Sequence, residues 1–441
     1  MKQSKSHKIF ILIFVLFGFH MMAQEKELLT VEEAVSLALE NNYQIKIVTN
    51  DLKIDEASVS PGFAGMLPTV NAVADNNNSL QNITQTRSDG TTLSRDNAKN
   101  NSLNYGVELD WTIFDGLRMF ARYDQLQEVK KLGEAELKQA ILQTVSDVMI
   151  TYFDLVQQKQ QLNALDSTLV ISKQRVELAN NRFSIGKASK LEFLNAQVDQ
   201  NTDQTSFLRQ QELFQNTKTR LNEIIGREVR TDFRVVELIS IDRSLQLNVL
   251  EEEAKAQNPQ LQVQLINKRI VELQLKQIKG DRFPTLSAQA GYLFSDSESS
   301  LGFTTNNKSR GFNYGLTARL NLFDGFNQNR NEQIAKIQIE NSELLVNQQT
   351  QTLLSQLAIA YQTYQTNLSL MELEVNNEAI AKENLDITMA KYRIGTIPTI
   401  EFRTAQLNYI NAVVRASNAL YEAKLSEITL KELAGNLNLS I

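Results

Sequence analysis

The sequence predicts a mainly helical chain that also carries four strands of a membrane β-barrel, arranged as two structural repeats. Three features predict it: motifs that recur at a constant offset, strict period-2 alternation beside those motifs, and heptad-spaced helices far longer than a globular domain uses.

The repeat comes first because it organises everything else. Asn104-Tyr105-Gly106 running to Phe114-Asp115-Gly116 recurs as Asn313-Tyr314-Gly315 running to Phe323-Asp324-Gly325, an offset of 209. Ile185-Gly186 and Glu192-Phe193 recur as Ile394-Gly395 and Glu401-Phe402 at the same 209. Leu67-Pro68-Thr69 and Phe283-Pro284-Thr285 match at 216, so the first copy has extra residues between its proline and its Phe-Asp-Gly. Insertions of that kind mark loops. The first repeat is read as 24–226, with a β-hairpin at 67–114 and a long helical hairpin at 117–226. A connector at 227–247 leads to the second, 248–441, with a β-hairpin at 284–323 and a long helical hairpin at 326–435.

Within each repeat the second strand alternates cleanly. Leu103, Tyr105, Val107, Leu109, Trp111 and Ile113 share one face, opposite Asn104, Gly106, Glu108, Asp110 and Thr112. The sister copy places Phe312, Tyr314, Leu316, Ala318, Leu320 and Leu322 on one face. Such alternation describes a strand with one apolar and one polar side. Partner strands start after Pro68 and Pro284, where a missing N–H is tolerated. The polar stretches 77–100 and 296–309 read as long external loops. A soluble sandwich would show the same alternation, but strands of about eleven residues suit a tilted bilayer crossing. The residues expected to face lipid are therefore Leu103, Tyr105, Val107, Leu109, Trp111, Phe312, Tyr314, Leu316 and Leu320.

Four strands cannot close a barrel, because the smallest membrane barrels have about eight and an open edge in lipid leaves backbone groups unpaired. Two chains would give eight strands and a filled lumen, whereas three give twelve and space for water. A water-filled lumen therefore calls for the homotrimer.

The rest of each repeat is helical. Ile141, Val145, Val148, Tyr152, Leu155, Leu162, Leu169, Val176 and Phe183 recur in steps of three, four or seven, the spacing of coiled-coil packing. A helix of about 65 residues is roughly 95 Å long. Each long helix ends at Ile-Gly, where glycine suits a left-handed cap that reverses the chain. Each repeat opens on a capping-box pattern, Thr30 with Glu33 and Asn248 with Glu251.

Export is the next expectation. Lys2, Lys5 and Lys8 precede an apolar run from Ile9 to Phe19 and a stretch ending Met22-Ala23-Gln24. That is the pattern of a signal peptide, 1–23, and the run of about eleven residues is too short to stay as an anchor. No cysteine follows for lipid attachment, so the fold itself must hold the membrane.

Composition removes most chemistry. The chain has no Cys, and its 2 histidines, His7 and His20, lie in the segment to be removed. Thiolate and imidazole catalysis and zinc sites built on those ligands are excluded. Carboxylate chemistry needs paired acids on a rigid concave site, and the acids here are scattered. No catalytic, cofactor or metal residue is expected. With 45 basic and 51 acidic residues and a net charge of -6, a nucleic-acid partner is not expected either.

The doubled Phe-Asp-Gly, the doubled Pro-Thr and the paired Ile-Gly turns followed by Glu-Phe resemble those of the outer-membrane efflux protein family, the TolC-like trimeric ducts. The resemblance covers essentially the whole mature chain. It implies a homotrimer with a twelve-stranded barrel in the outer membrane of a Gram-negative bacterium and a helical tunnel, a periplasmic α-barrel, across the periplasm. It also implies a role as exit duct of a tripartite efflux or type I secretion system, with a periplasmic adaptor protein and an inner-membrane pump of RND or ABC type as partners. By that likeness the hairpin tips, 182–190 and 392–399, dock on the adaptor through Phe183, Ile185, Gly186, Tyr392, Ile394 and Gly395. Relatives carry acids facing the closed periplasmic mouth, and Glu401 falls on one such position. A second acid one turn on is replaced by Thr404, and Arg403 lies between, so a weaker charge ring is expected; a solvated surface role for Glu401 is the alternative. An exported scaffold or adhesin without channel activity is the competing reading of the whole chain, and the cargo is not written in the sequence.

Overall fold

The computed structural model describes residues 27–300 and 304–437. The expected signal peptide lies outside them. One order of elements occurs twice. The first half runs β1 (Glu27–Leu29), α1 (Val31–Asn41), α2 (Tyr43–Ser58), β2 (Thr69–Thr86), β3 (Thr92–Phe114), α3 (Arg118–Ser184) and α4 (Lys190–Ile224). The second runs β4 (Phe233–Val235), α5 (Leu247–Gln257), α6 (Pro259–Gly280), β5 (Thr285–Ser299), β6 (Asn306–Arg319), α7 (Asn327–Ile394) and α8 (Thr399–Leu433).

The chain divides into two compact units, each drawing on both halves of the sequence. One comprises the residues up to Val48, 137–259 and those from Thr350 on; the other comprises 49–136 and 260–349. In the first unit β1 and β4 pair in parallel, Leu28 opposite Arg234. Leu29, Val35, Val148, Tyr152, Leu155, Leu221, Phe233 and Ile428 form its main apolar core. Tyr152 secures the small sheet to α3, its hydroxyl donating to the Leu29 carbonyl at 2.9 Å and accepting from the Val236 amide at 3.0 Å. These two bonds offset the cost of burying the phenol.

The duplication extends to single hydrogen bonds. The Asn42 side-chain amide donates to the Ile224 carbonyl at 2.8 Å, and Asn258 donates to the Leu433 carbonyl at 3.0 Å. Each closes an orphan carbonyl at the end of a returning helix. In the second unit the doubled Phe-Asp-Gly has a similar explanation. Asp115 accepts from the Met119 amide at 3.2 Å and Asp324 from the Gln328 amide at 2.6 Å, so each aspartate caps the start of a long helix.

The capping box at the start of the first repeat forms, with the Glu33 amide donating to Thr30 Oγ1 at 3.2 Å and the Thr30 amide to Glu33 Oε2 at 2.9 Å. Its expected sister does not. α5 begins at Leu247 behind Gln246, which makes no side-chain cap bond, so Asn248 stands inside the first turn rather than ahead of it.

The second unit holds an antiparallel sheet in the order β2-β3-β5-β6. Its strands run through much of what the sequence suggested were external loops. β2 and β3 pair out to Thr86 opposite Thr92, around a short turn in which the Arg87 amide donates to the Thr91 carbonyl at 2.9 Å. Alternation vanishes there because both faces are polar, yet the backbone ladder continues and hydroxyls pair across it, Thr84 with Ser94 at 3.1 Å. A bulge between Gln81 and Ile83 is accommodated by Asn97, whose φ is 53°, with its amide donating to Asn82 Oδ1 at 2.8 Å. At the opposite end β6 stops at Arg319, paired with Thr285, so Leu320 lies past the strand and not on it.

Candidate functional site: an exposed apolar sheet face and two helical hairpin tips

Residues directly opposite on antiparallel strands share a face. The register sets Val70, Ala72 and Ala74 of β2 against Leu109, Val107 and Tyr105 of β3. Those three oppose Ala290, Tyr292 and Phe294 of β5, and Ala290 and Tyr292 oppose Tyr314 and Phe312 of β6. One apolar face therefore runs across all four strands. The other is mostly polar or small, with Asn71, Glu108, Gly291 and Asn313 in one row and Val73, Gly106, Leu293 and Gly311 in the next.

The apolar face is not covered by the chain's own described residues. Leu103, Tyr105, Val107, Trp111, Phe312, Tyr314 and Leu316 are exposed, and Leu109 is partly so. Tyr105 stacks on Phe294 with centroids 5.0 Å apart. Past that aromatic row Leu103 opposes Asp296, which pairs with Lys308 at 2.6 Å, so charge ends the band. Near the other end the Trp111 indole N–H donates to the Met66 carbonyl at 2.9 Å. An apolar band edged by aromatic residues suits a lipid interface. The sheet is open, with β2 and β6 as its outer strands.

The tips lie in the first unit. Gly186 and Gly395 follow α3 and α7 with φ of 74° and 79°, a left-handed conformation any other residue would hold under strain. The Lys187 amide donates to the Arg182 carbonyl at 2.8 Å and the Gly186 amide to Phe183 at 3.0 Å. Thr396 and Gly395 repeat the pair onto Lys391 at 3.1 Å and Tyr392 at 3.0 Å. Both tips are thus Schellman turns. Ile185 and Ile394 project from them, 67% and 76% exposed, and Phe183 is exposed beside a parallel Phe193 ring.

Tyr392 does not belong with those surface residues. It is 2% exposed, stacked on Phe402 at 4.9 Å with the Arg182 guanidinium 5.1 Å from its ring. The tyrosine is a packing residue because its helix position turns it toward α8. The two tips also touch: Arg182 Nη2 donates to the Tyr392 carbonyl at 3.0 Å, and the Thr399 hydroxyl to Glu192 Oε1 at 2.8 Å.

Glu401 is exposed in the first turn of α8, where a carboxylate complements the helix dipole. Arg403, expected to dilute its charge, is 8% exposed and turned inward onto Asp203. The arginine therefore leaves the surface charge of Glu401 unchanged. No sequence periodicity announced that pairing across two hundred residues; the only available signal was that the sister position of Arg403 is the apolar Leu194.

Taken together these features define a mainly helical, TolC-like channel fold, and a solved structure has it. The crystal structure of the Campylobacter jejuni CmeC outer membrane channel superposes with a TM-score of 0.77 at 18% identity, covering 92% of this chain and 85% of that one. The chain belongs to the outer membrane efflux protein family, whose family model matches residues 34–227 and 250–436. Outer membrane protein TolC of Vibrio cholerae is 21% identical over 418 residues, covering 92% of this chain and 90% of that protein. Outer membrane protein TolC of Escherichia coli is 20% identical over 292 residues, a match that covers 63% of this chain and spans 59% of the relative's length.

Proposed function

We propose that this protein is the outer-membrane exit duct of a tripartite efflux or type I secretion system in a Gram-negative bacterium. The observation that carries the reading is the open four-stranded sheet with one continuous exposed apolar face. In lipid its two outer edges need partners, and a ring of three chains supplies them as a twelve-stranded barrel. The repeats 24–226 and 248–441, joined by 227–247, would each contribute one β-hairpin to the barrel and one long helical hairpin to a periplasmic tunnel.

The hairpin tips are the docking surface for a periplasmic adaptor, which links the duct to an inner-membrane pump. Ile185 and Ile394 are the anchors, supported by Phe183 and by the turns at Gly186 and Gly395; Tyr392 acts from beneath by fixing the second tip. Exposed Glu401 supplies one carboxylate per chain to the tunnel mouth, where three like charges on a narrow axis favour cations. Transport is passive, driven by the pump. Deleting the gene tests the role: the host becomes more sensitive to exported toxic compounds or stops secreting a protein. A host unaffected on both counts overturns it. Glu401→Lys should lower cation preference in single-channel recordings, and unchanged selectivity removes Glu401 from the mouth.

A further inference from the structure

A buried ionic network joins the two helical hairpins, and the duct role does not by itself call for it. Arg403 of α8 grips Asp203 of α4 with both terminal nitrogens, Nη1 to Oδ2 at 2.8 Å and Nη2 to Oδ1 at 2.9 Å. Its Nη1 also donates to Gln406 Oε1 at 3.0 Å, and its Nε lies 3.7 Å from Asp199. Gln406 in turn donates to Ser172 Oγ of α3 at 3.1 Å, Ser172 donates to Asp203, and Arg175 of α3 pairs with Asp199. Arg403, Asp203, Arg175, Ser172 and Gln406 are all buried. Two arginines and two aspartates make the network neutral.

The repeat does not duplicate these charges. Moving by the 209-residue offset, Arg403 corresponds to Leu194, Asp203 to Ala412, Arg175 to Asn384 and Asp199 to Asn408. Leu194, Asn384 and Asn408 are exposed in this chain, so the charged contact belongs to one of the two copies only. A buried ion pair gains little stability over apolar packing, since desolvation offsets its attraction; its best-attested use is to specify register. Long helices packed at heptad spacing are the case in which register is otherwise degenerate, because slipping by one turn again sets apolar residues against apolar residues.

We infer that the Arg403–Asp203 pair is a register pin, setting the axial position of α8 on the first hairpin. It lies eight residues beyond Gly395, so it sets the height of the second tip relative to the first. The consequence for adaptor docking rests on the function proposed above, whereas the pin itself does not.

The test reads tip height directly. The chain has no Cys, so cysteines at the exposed positions Lys187 and Lys391 can be spin-labelled without side reactions. Doubly labelled chains are diluted into unlabelled ones, and the distance within a chain is measured on full-length protein in detergent. The native pair gives one narrow distance. The variant R403L/D203L removes both charges; with its helical content verified by circular dichroism, it should show a second population displaced by about 5 Å, one helical turn. The charge-keeping variant R403K, which leaves a cation facing Asp203 and Asp199, should retain the single distance. A single native distance in R403L/D203L overturns the inference, as does R403K no better ordered than that variant. Lost adaptor binding is a separate readout: if tip height shifts and adaptor capture does not change, the pin stands and the docking surface falls.

Discussion

Leu109→Arg probes the sheet where the lipid reading demands most. On β5 the apolar band runs from Leu286 to Phe294, eight steps, or about 27 Å along the strand and about 20 Å across a membrane at a tilt near 40°. Leu109 opposes Val70 on one side and Ala290 on the other, which puts it at the middle of that band. An arginine at the midplane of a membrane barrel costs about 2–4 kcal/mol, falling to about 0–1 near the interfaces. Three copies per barrel bring the total to about 6–12 kcal/mol, a large share of the stability of an ordinary fold. Leu103→Arg is the control, because Leu103 stands beyond the aromatic row beside Asp296 and Lys308. Glu108→Arg, on the opposite face, is a second control. The assay is the fraction of chain refolded into lipid vesicles against urea concentration. Leu109→Arg should lower the midpoint strongly, and the controls should barely move it. Equal losses at Leu109 and Leu103 would refute the argument, because a face packed on protein has no dependence on membrane depth.

Further expectations follow from the helical parts. Asp115→Ala and Asp324→Ala each remove a cap and should each cost about 1 kcal/mol in thermal or chemical unfolding, similar in size because the two bonds are copies. Ile185→Asp with Ile394→Asp should abolish capture of the adaptor without disturbing assembly, whereas Tyr392→Phe should leave capture intact, since that hydroxyl is buried and has no hydrogen-bond partner among the described residues. Asp242 is held down to about 2 by hydrogen bonds from the Ser244 hydroxyl and amide and by Lys431. A depressed carboxyl stabilises the fold above its ordinary pKa of 3.8 and loses that contribution as pH falls toward 2. Asp242→Asn should therefore be less stable than the native protein at neutral pH, with the gap closing over that acid range.

What was legible in the sequence was whatever has a period or a copy. The Phe-Asp-Gly pair was visible through its offset, and the structure supplies the reason, an aspartate cap on each long helix. The Ile-Gly turns were visible because a left-handed turn has few acceptable residues. The polar ends of the hairpins were not: when Asn, Ser and Thr occupy both faces, the period-2 signal disappears although the ladder persists. Tyr392 was grouped with the exposed tip residues by resemblance, and its place beside the turn does not reveal that Phe402 covers it. Asn248 shows how a cap pattern misleads by a residue or two when the helix starts earlier. The Arg403–Asp203 contact was the least accessible, since it joins residues from different repeats and neither copy implies it.

If one chain is a third of a pore, as proposed above, the native mass of the full-length protein extracted in mild detergent is that of three chains, giving twelve strands and an open lumen. A monomer, or a dimer whose eight strands would enclose only side chains, would contradict it.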